Sequence, residues 1–230
     1  MTDGNWLLIE TSGRSGGVGV ARGGAVARTA ALDESRRHAR DLAAVVAAVL
    51  AAEALRPGDV AGVMVGVGPG SYTGLRVGVM SAKTFAYATG CHLVAVPTFA
   101  AVAARVPPGV DRVAVVADAL QGHVYAQAFA RAGGGWRPAD ALRIEPAGVW
   151  AAGLEAGEFV SGPGVSVFDA VIPAANTRAA EGERAPSVES LFRAGSVLPP
   201  VTRDELFALE PLYLRGSSAE VNADKQKPRE

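Results

Sequence analysis

The residues best placed to do chemistry are the run Gly68-Pro69-Gly70-Ser71-Tyr72-Thr73-Gly74, set between the apolar stretch Val60 to Val67 and a helical segment that reaches Thr89. Phosphates are often held on backbone N–H groups where a glycine-rich turn opens a helix. Gly68, Gly70, Ser71, Thr73 and the following Arg76 therefore form a candidate nucleotide or anion loop. It is not a Walker loop, because Leu75 and Arg76 stand where that motif needs lysine and a hydroxyl residue. The glycine spacing does not fit the dinucleotide fingerprint either. The same residues can make a tight turn in which Ser71 or Thr73 caps the helix, and both readings stay open.

Two carboxylates close apolar runs, Glu10 after Trp6 to Ile9 and Asp118 after Val113 to Ala117. Such groups can hold magnesium or act as a base; they can equally cap turns. The three histidines, His38, His92 and His123, lack the spacing that puts two metal ligands on one helix face. Cys91 beside His92 does not by adjacency make a nucleophile and base pair, and there is no Gly-x-Ser-x-Gly elbow. No catalytic residue and no metal ligand is assigned.

The elements that must position these residues read as strand, glycine-rich bend and strand over Trp6 to Ser12 and Val18 to Ala21, then a helix over Glu34 to Ala54. A strand at Val60 to Val67, the long helix stopped by Gly90, a strand at Leu93 to Val96 and a short helix over Phe99 to Ala104 follow. Pro107-Pro108-Gly109 marks the boundary between two lobes. The second half opens as the first did: apolar run, acid, turn, strand, with Glu10 and Asp118 at matching positions. That pattern is compatible with an internal duplication, although two hairpins can look alike by chance. Beyond Arg131, residues 133–138 read as loop, followed by helix, strand and helix over Ala147 to Ala156, Phe159 to Ser161 and Val165 to Ile172, and by a charged loop over Asn176 to Ala185. The expected organisation is a first lobe over 1–106, a second over 107–216 and a flexible tail over 217–230.

Two helices carry unusual faces. Gly74, Gly78, Ala82 and Ala86 fall four apart and make a ridge nearly free of side chains, which allows another helix to approach closely. Gly78 at mid-helix costs about 1 kcal/mol relative to alanine and so implies a packing role. The ridge serves either the chain's own packing or a contact with another subunit. In the earlier helix Leu42, Val45, Val46 and Val49 form one face, while Ala44, Ala47, Ala48 and Ala51 lie opposite, where charges are usual on an exposed helix. A helix apolar on both sides tends to be covered on both, although codon bias can also fill a face with alanine.

Hydrophobic residues make up 49% of the 230 and charged residues 20%, the composition of a globular protein. A chain of this length buries about 70 to 75% of its unfolded surface and needs no disulfide or metal to hold a core. Its apolar stretches are too short to span a membrane, no signal sequence is legible, and a single cysteine fits a cytoplasmic location. A net charge of −1 with dispersed arginines argues against strong unaided binding to nucleic acid.

The block Gly68 to Gly78, continued by Ser81 to Gly90 and Leu93 to Thr98, closely resembles the TsaB (YeaZ) family. Supporting matches are Leu8-Ile-Glu-Thr-Ser, His38, Asp118 to Tyr125 and Pro211-Leu-Tyr-Leu-Arg. Leu120, where that family often has arginine, and a first helix rich in alanine rather than interrupted by proline are the departures. The resemblance implies the two-lobed α/β fold of acetate kinase, Hsp70 and actin, with two ribonuclease-H-like lobes. It also implies a non-catalytic subunit for placing threonylcarbamoyl on tRNA adenosine. Its first two helices would pair with a second copy or with the catalytic paralogue TsaD, so Leu42, Val45, Val46, Val49, Gly74, Gly78, Ala82 and Ala86 are the candidate partner interface. ATP and metal are then expected on partner subunits, with no cofactor in the isolated chain. The ATPase TsaE joins the complex, and tRNA is held mainly through the assembly. The alternatives are a nucleotide-dependent phosphotransferase of the same fold and a metallopeptidase-like protein.

Overall fold

The computed structural model describes residues 4–13, 15–32 and 38–212, with the side chains of residues 38–40 excepted. Tyr213 to Arg215 and the expected tail over 217–230 lie outside them. The first half contains the strands β1 (Asn5–Glu10), β2 (Gly17–Arg22), β3 (Ala25–Ala31), β4 (Gly62–Gly66) and β5 (His92–Val96) and the helices α1 (His38–Ala52), α2 (Tyr72–Thr89) and α3 (Thr98–Ala103). The second contains β6 (Arg112–Asp118), β7 (His123–Ala132), β8 (Gly135–Pro138), β9 (Arg143–Pro146), β10 (Phe159–Ser161) and β11 (Thr177–Arg178), with α4 (Ala147–Ala152), α5 (Val165–Phe168), α6 (Val188–Gly195) and α7 (Arg203–Ala208).

The sheets follow one plan. The first runs β3-β2-β1-β4-β5 and the second β11-β10-β6-β7-β8, with β9 also paired to β7. In each, three strands in antiparallel succession are extended beyond the first by two parallel strands. The second sheet is therefore the first repeated, and the duplication hinted at by Glu10 and Asp118 is real: each is the last residue of the central strand of its sheet.

Alternation along β1 sends Leu7 and Ile9 to one face and Trp6 and Leu8 to the other. Leu7 and Ile9 pack with Leu42, Val49, Val79 and Ala82 of α1 and α2. Trp6 and Leu8 pack with Val188, Leu191 and Phe192 of α6. Helix α6 settles close to β2 because Gly17 and Gly19 lie beneath Val188, where any Cβ would collide with it. The second sheet is covered on one face by α4 and α5, through Trp150 and Val165, and on the other by α3, through Phe99 and Val102.

The two halves thus exchange helices. Helix α3 comes from the first half and covers the second sheet, while α6 comes from the second half and covers the first. Val201, Leu206 and Leu209 also pack on the first sheet's core. Residues 98–103 pack with the second sheet and residues 188–209 with the first, because each sheet has two apolar faces and its own half supplies cover for only one.

Several shorter elements differ from expectation. Residues 135–138 form β8 instead of loop, β3, β9, α6 and α7 add elements, and the helices begun at Ala147 and Val165 stop at Ala152 and Phe168.

Candidate functional site

The glycine-rich segment is a turn clamped onto the end of β1. The Ser71 side chain accepts the Gly74 N–H at 3.2 Å and caps α2, and the Ser71 N–H donates to the Ser12 carbonyl at 2.7 Å. The Gly68 N–H donates to Thr98 Oγ1 at 3.1 Å. The N–H groups of Gly68, Ser71 and Gly74 are thereby committed inside the chain. The Arg76 guanidinium lies over the Tyr72 ring, 5.4 Å from its centre, and donates to the Tyr72 hydroxyl at 3.1 Å. Gly68, Gly70, Ser71, Thr73 and Arg76 are thus close in space, with Thr73 and Arg76 exposed, but the backbone of the loop faces β1.

The ridge on α2 meets that same strand end. A Cβ on Gly74 would overlap the Thr11 carbonyl oxygen, one on Gly78 would overlap Thr11 Oγ1, and one on Gly70 would overlap the Ser12 carbonyl oxygen. Thr11 Oγ1 instead donates to the Gly74 carbonyl at 2.8 Å. Ala82 and Ala86 continue the ridge into the core, with Ala82 fully buried. Leu42 and Val49 are likewise buried, and Val45 and Val46 are half-buried against the same cluster. Of the residues expected at a partner interface, then, Leu42, Val49, Gly74, Gly78, Ala82 and Ala86 are covered by the chain's own sheet. Helical spacing identified the inward faces of α1 and α2; the outward faces are what a partner can reach.

The outward face of α1 is apolar, and that of α2 sets large apolar side chains among Thr73, Arg76 and Thr84. The α1 face presents Ala43, Ala44, Ala47, Ala48, Ala51 and Ala52, all exposed. The α2 face presents Met80 at 58% exposure and Tyr87 at 66%, beside Thr84 and Ala88. Tyr87 meets Phe207 of α7 edge to face, ring centres 5.9 Å apart, and Phe207 is itself 57% exposed. Lys83 holds α7 in place by donating to the Phe207 and Leu209 carbonyls at 2.9 and 2.8 Å. Met80 and Tyr87 escaped the sequence reading, although large apolar residues at 80 and 87, two turns apart on the side opposite the ridge, were the available signal.

At the end of β1, Glu10 is fully buried. Its Oε1 accepts the Ser12 N–H at 2.6 Å and the Ser12 hydroxyl at 2.5 Å, while Oε2 has no hydrogen-bond partner. Burial pushes the Glu10 carboxyl above the usual carboxylate range, outweighing the two hydrogen bonds from Ser12 that lower it. Asp118 is exposed and accepts the Leu120 N–H at 2.7 Å. His123 Nδ1 lies 3.0 Å from the Gln121 carbonyl and His92 is exposed. Among the described residues no three of His, Cys, Asp and Glu are grouped to hold a metal, and no helix is long and apolar enough to cross a membrane.

A family model described as TsaD: tRNA N6-adenosine threonylcarbamoyltransferase matches residues 22–141, just over half of the chain. The chain belongs to this family. The TsaD-family match takes in both outward helix faces, the glycine turn and the start of the second sheet. The tRNA threonylcarbamoyladenosine biosynthesis protein TsaB of Bacillus subtilis is 30% identical over 119 residues, 52% of this chain and 52% of that protein. An uncharacterized protein of Mycobacterium tuberculosis is 37% identical over 92 residues, 40% of this chain and 42% of the other. The chain thus spans about half the length, or less, of the curated relatives it matches. Two solved structures from Pseudomonas aeruginosa share the fold: YeaZ, with a TM-score of 0.77 at 23% identity, and an uncharacterized protein with similarity to peptidase YEAZ, at 0.78 and 24%. Each is covered over its full length by 92% of this chain. The α/β architecture of two repeated sheets is common to all three.

Proposed function

We propose that this TsaD-family chain is a non-catalytic, dimerising subunit in the formation of N6-threonylcarbamoyladenosine on tRNA. It pairs through the outward faces of α1 and α2 with a catalytic TsaD-type paralogue, which transfers the threonylcarbamoyl group. The observation that carries this reading is the exposed apolar surface formed by the α1 alanines, Met80, Tyr87 and Phe207. Contiguous exposed apolar surface marks interaction sites. A row of alanines lets a second helix approach to the near end of the usual packing distance, and Met80 and Tyr87 supply the large side chains that anchor an interface. The turn built from Gly68 to Gly74 serves this surface by fixing the start of α2 on β1.

In this reading ATP and metal belong to the partner subunits, a TsaE-type ATPase joins the assembly, and tRNA is gripped mainly by the complex. A second copy of the chain competes for the same helix faces. The likeness to Bacillus subtilis TsaB and the family match support the pathway.

The experiment is a titration of the purified chain with its TsaD-type paralogue, repeated with Met80→Arg and Tyr87→Arg combined. Both positions are more than half exposed, so the fold should be retained, with only a small drop in melting from the lost Tyr87–Phe207 contact. Burying unpaired guanidinium groups at the contact should weaken association by about a hundredfold or more. Wild-type affinity in the variant would remove this surface from the interface.

A further inference from the structure

The exchanged helices α3 and α6 pack against each other at the junction of the two halves, and a half-open cavity of about 630 Å³ lies beside them. Its lining includes the rings of Phe99, Phe129 and Trp136 and three arginines, Arg131, Arg137 and Arg193. Among the described residues no aspartate or glutamate contributes to it. The glycine turn touches its edge only through Gly68 and Pro69, and neither the outward faces of α1 and α2 nor Glu10 and Asp118 take part.

Elsewhere Arg28, Arg112, Arg143 and Arg178 each face a carboxylate, while Arg22, Arg76, Arg105 and Arg184 are held by neutral acceptors; what sets the cavity apart is that three arginines line one opening. Around the cavity Arg131 lies over the Trp136 ring, 4.6 Å from its centre, and donates only to the carbonyls of Val106, Pro107 and Val110. Its charge is held in place but not neutralised. Arg137 and Arg193 make no hydrogen bond or ion pair through their guanidinium groups among the described residues. Arg193 stands in the last turn of α6, where a cation favours the carbonyl end of the helix; no such feature accounts for Arg137. Three like charges beside an apolar wall repel one another and focus a positive potential into the opening, which a bound anion relieves.

We propose that this cavity binds a small organic anion with a flat apolar body. The Trp136 ring and the surrounding aliphatic lining take the body, with Phe99 and Phe129 buried behind that wall, and the exposed Arg137 and Arg193 take the charged group, with Arg131 pre-set on Trp136. The volume falls within the roughly 300 to 1,000 Å³ typical of small-molecule sites, and such sites combine a mainly apolar lining with a few polar anchors. Because the cavity is bounded by both exchanged helices and by β7 and β8, a ligand there also bridges the two halves. The proposal stands apart from the helix-face interface and does not depend on it.

The test uses the full chain and 1-naphthyl phosphate as the probe, with 1-naphthol and inorganic phosphate as its two halves, by isothermal titration calorimetry. Saturable one-to-one binding is expected for the whole probe, about tenfold or more tighter than for either half, since ring burial and charge-assisted hydrogen bonds act together. Arg137→Ala combined with Arg193→Ala, both exposed positions, should weaken it by about tenfold or more with no change in melting. Ala104→Trp, on the lining at the end of α3, should block it by filling the space. If Ala104→Trp does not fold, the arginine pair decides alone. Absence of saturable binding, equal binding of 1-naphthol, or undiminished binding in the arginine variant would overturn the proposal.

Discussion

Glu10 and Asp118 occupy the same place in the two repeated sheets and use it the same way. Each ends the central strand, and each carboxylate accepts the N–H two residues further on, Ser12 at 2.6 Å and Leu120 at 2.7 Å. Their surroundings differ, since Glu10 is buried with one oxygen unpartnered and Asp118 is exposed.

Burial gives Glu10 a pH dependence. Its folded-state pKa is raised above the ordinary 4.5. Between that unfolded value and the raised one, the native state holds more protons than the unfolded chain, so this group makes stability fall as pH increases through the window and stay lower above it. Glu10→Gln removes the charge while keeping an oxygen for the Ser12 N–H. Thermal melting should show the variant more stable than wild type at neutral pH, with the advantage vanishing toward pH 4. A variant destabilised equally at every pH would contradict the assignment.

The buried ridge on α2 predicts unfolding, not loss of partner binding, when it is filled. Ala82→Arg places a charge in a fully buried position, a cost of several kcal/mol, about 4 or more. Gly78→Ala forces Thr11 to move and break its hydrogen bond to Gly74. Circular dichroism should find Ala82→Arg largely unfolded and Gly78→Ala melting well below wild type. A folded Ala82→Arg chain with weakened association would return the ridge to the interface.

The exchange of helices between halves makes the N-terminal sheet depend on the C-terminal segment. Leu191 is fully buried between α6 and the strands carrying Trp6, Leu8 and Met64. Leu191→Ala should cost about 2 to 5 kcal/mol, and hydrogen exchange should quicken in β1 and β4 as well as in α6. Exchange confined to α6 would show that the contact carries little of the sheet's stability.

Elements defined by local signals were legible in the sequence. Ser71 and Gly90 bracket α2, and Gly90 takes the left-handed conformation that ends a helix, with φ of 72°. Apolar runs closed by Glu10 and Asp118 marked β1 and β6 and their repetition. Strand β3 was missed because Ala25 to Ala31 has mostly small or charged side chains and forms an exposed sheet edge. Strand β8 ends in Pro138, which reads as loop but is tolerated at an edge. Helix α6 was missed despite Val188, Leu191 and Phe192 at helical spacing behind the Ser187 cap. The α2 ridge was visible as a ridge, but its neighbour, Thr11, lies 63 residues from Gly74, and spacing along the chain cannot name a long-range partner.

With a net charge of −1 and dispersed arginines, the chain alone should bind tRNA weakly at physiological salt, because phosphate neutralisation supplies most of such affinity. Filter binding across a salt series checks this. Submicromolar, steeply salt-dependent binding by the isolated chain would contradict this expectation and point to the arginines at the cavity, Arg131, Arg137 and Arg193, as a phosphate-binding surface.

The central claim is that this chain assists a catalytic partner and does no chemistry itself. Its most direct test is reconstitution: tRNA, threonylcarbamoyl adenylate and ATP are supplied to the chain alone, to the TsaD-type paralogue alone and to the two together with a TsaE-type ATPase, and threonylcarbamoyladenosine is measured. Neither product nor ATP hydrolysis is expected from the chain alone, and full turnover is expected only when it is added to its partners. Product or ATP hydrolysis from the isolated chain, abolished by Glu10→Ala or Asp118→Ala, would contradict it.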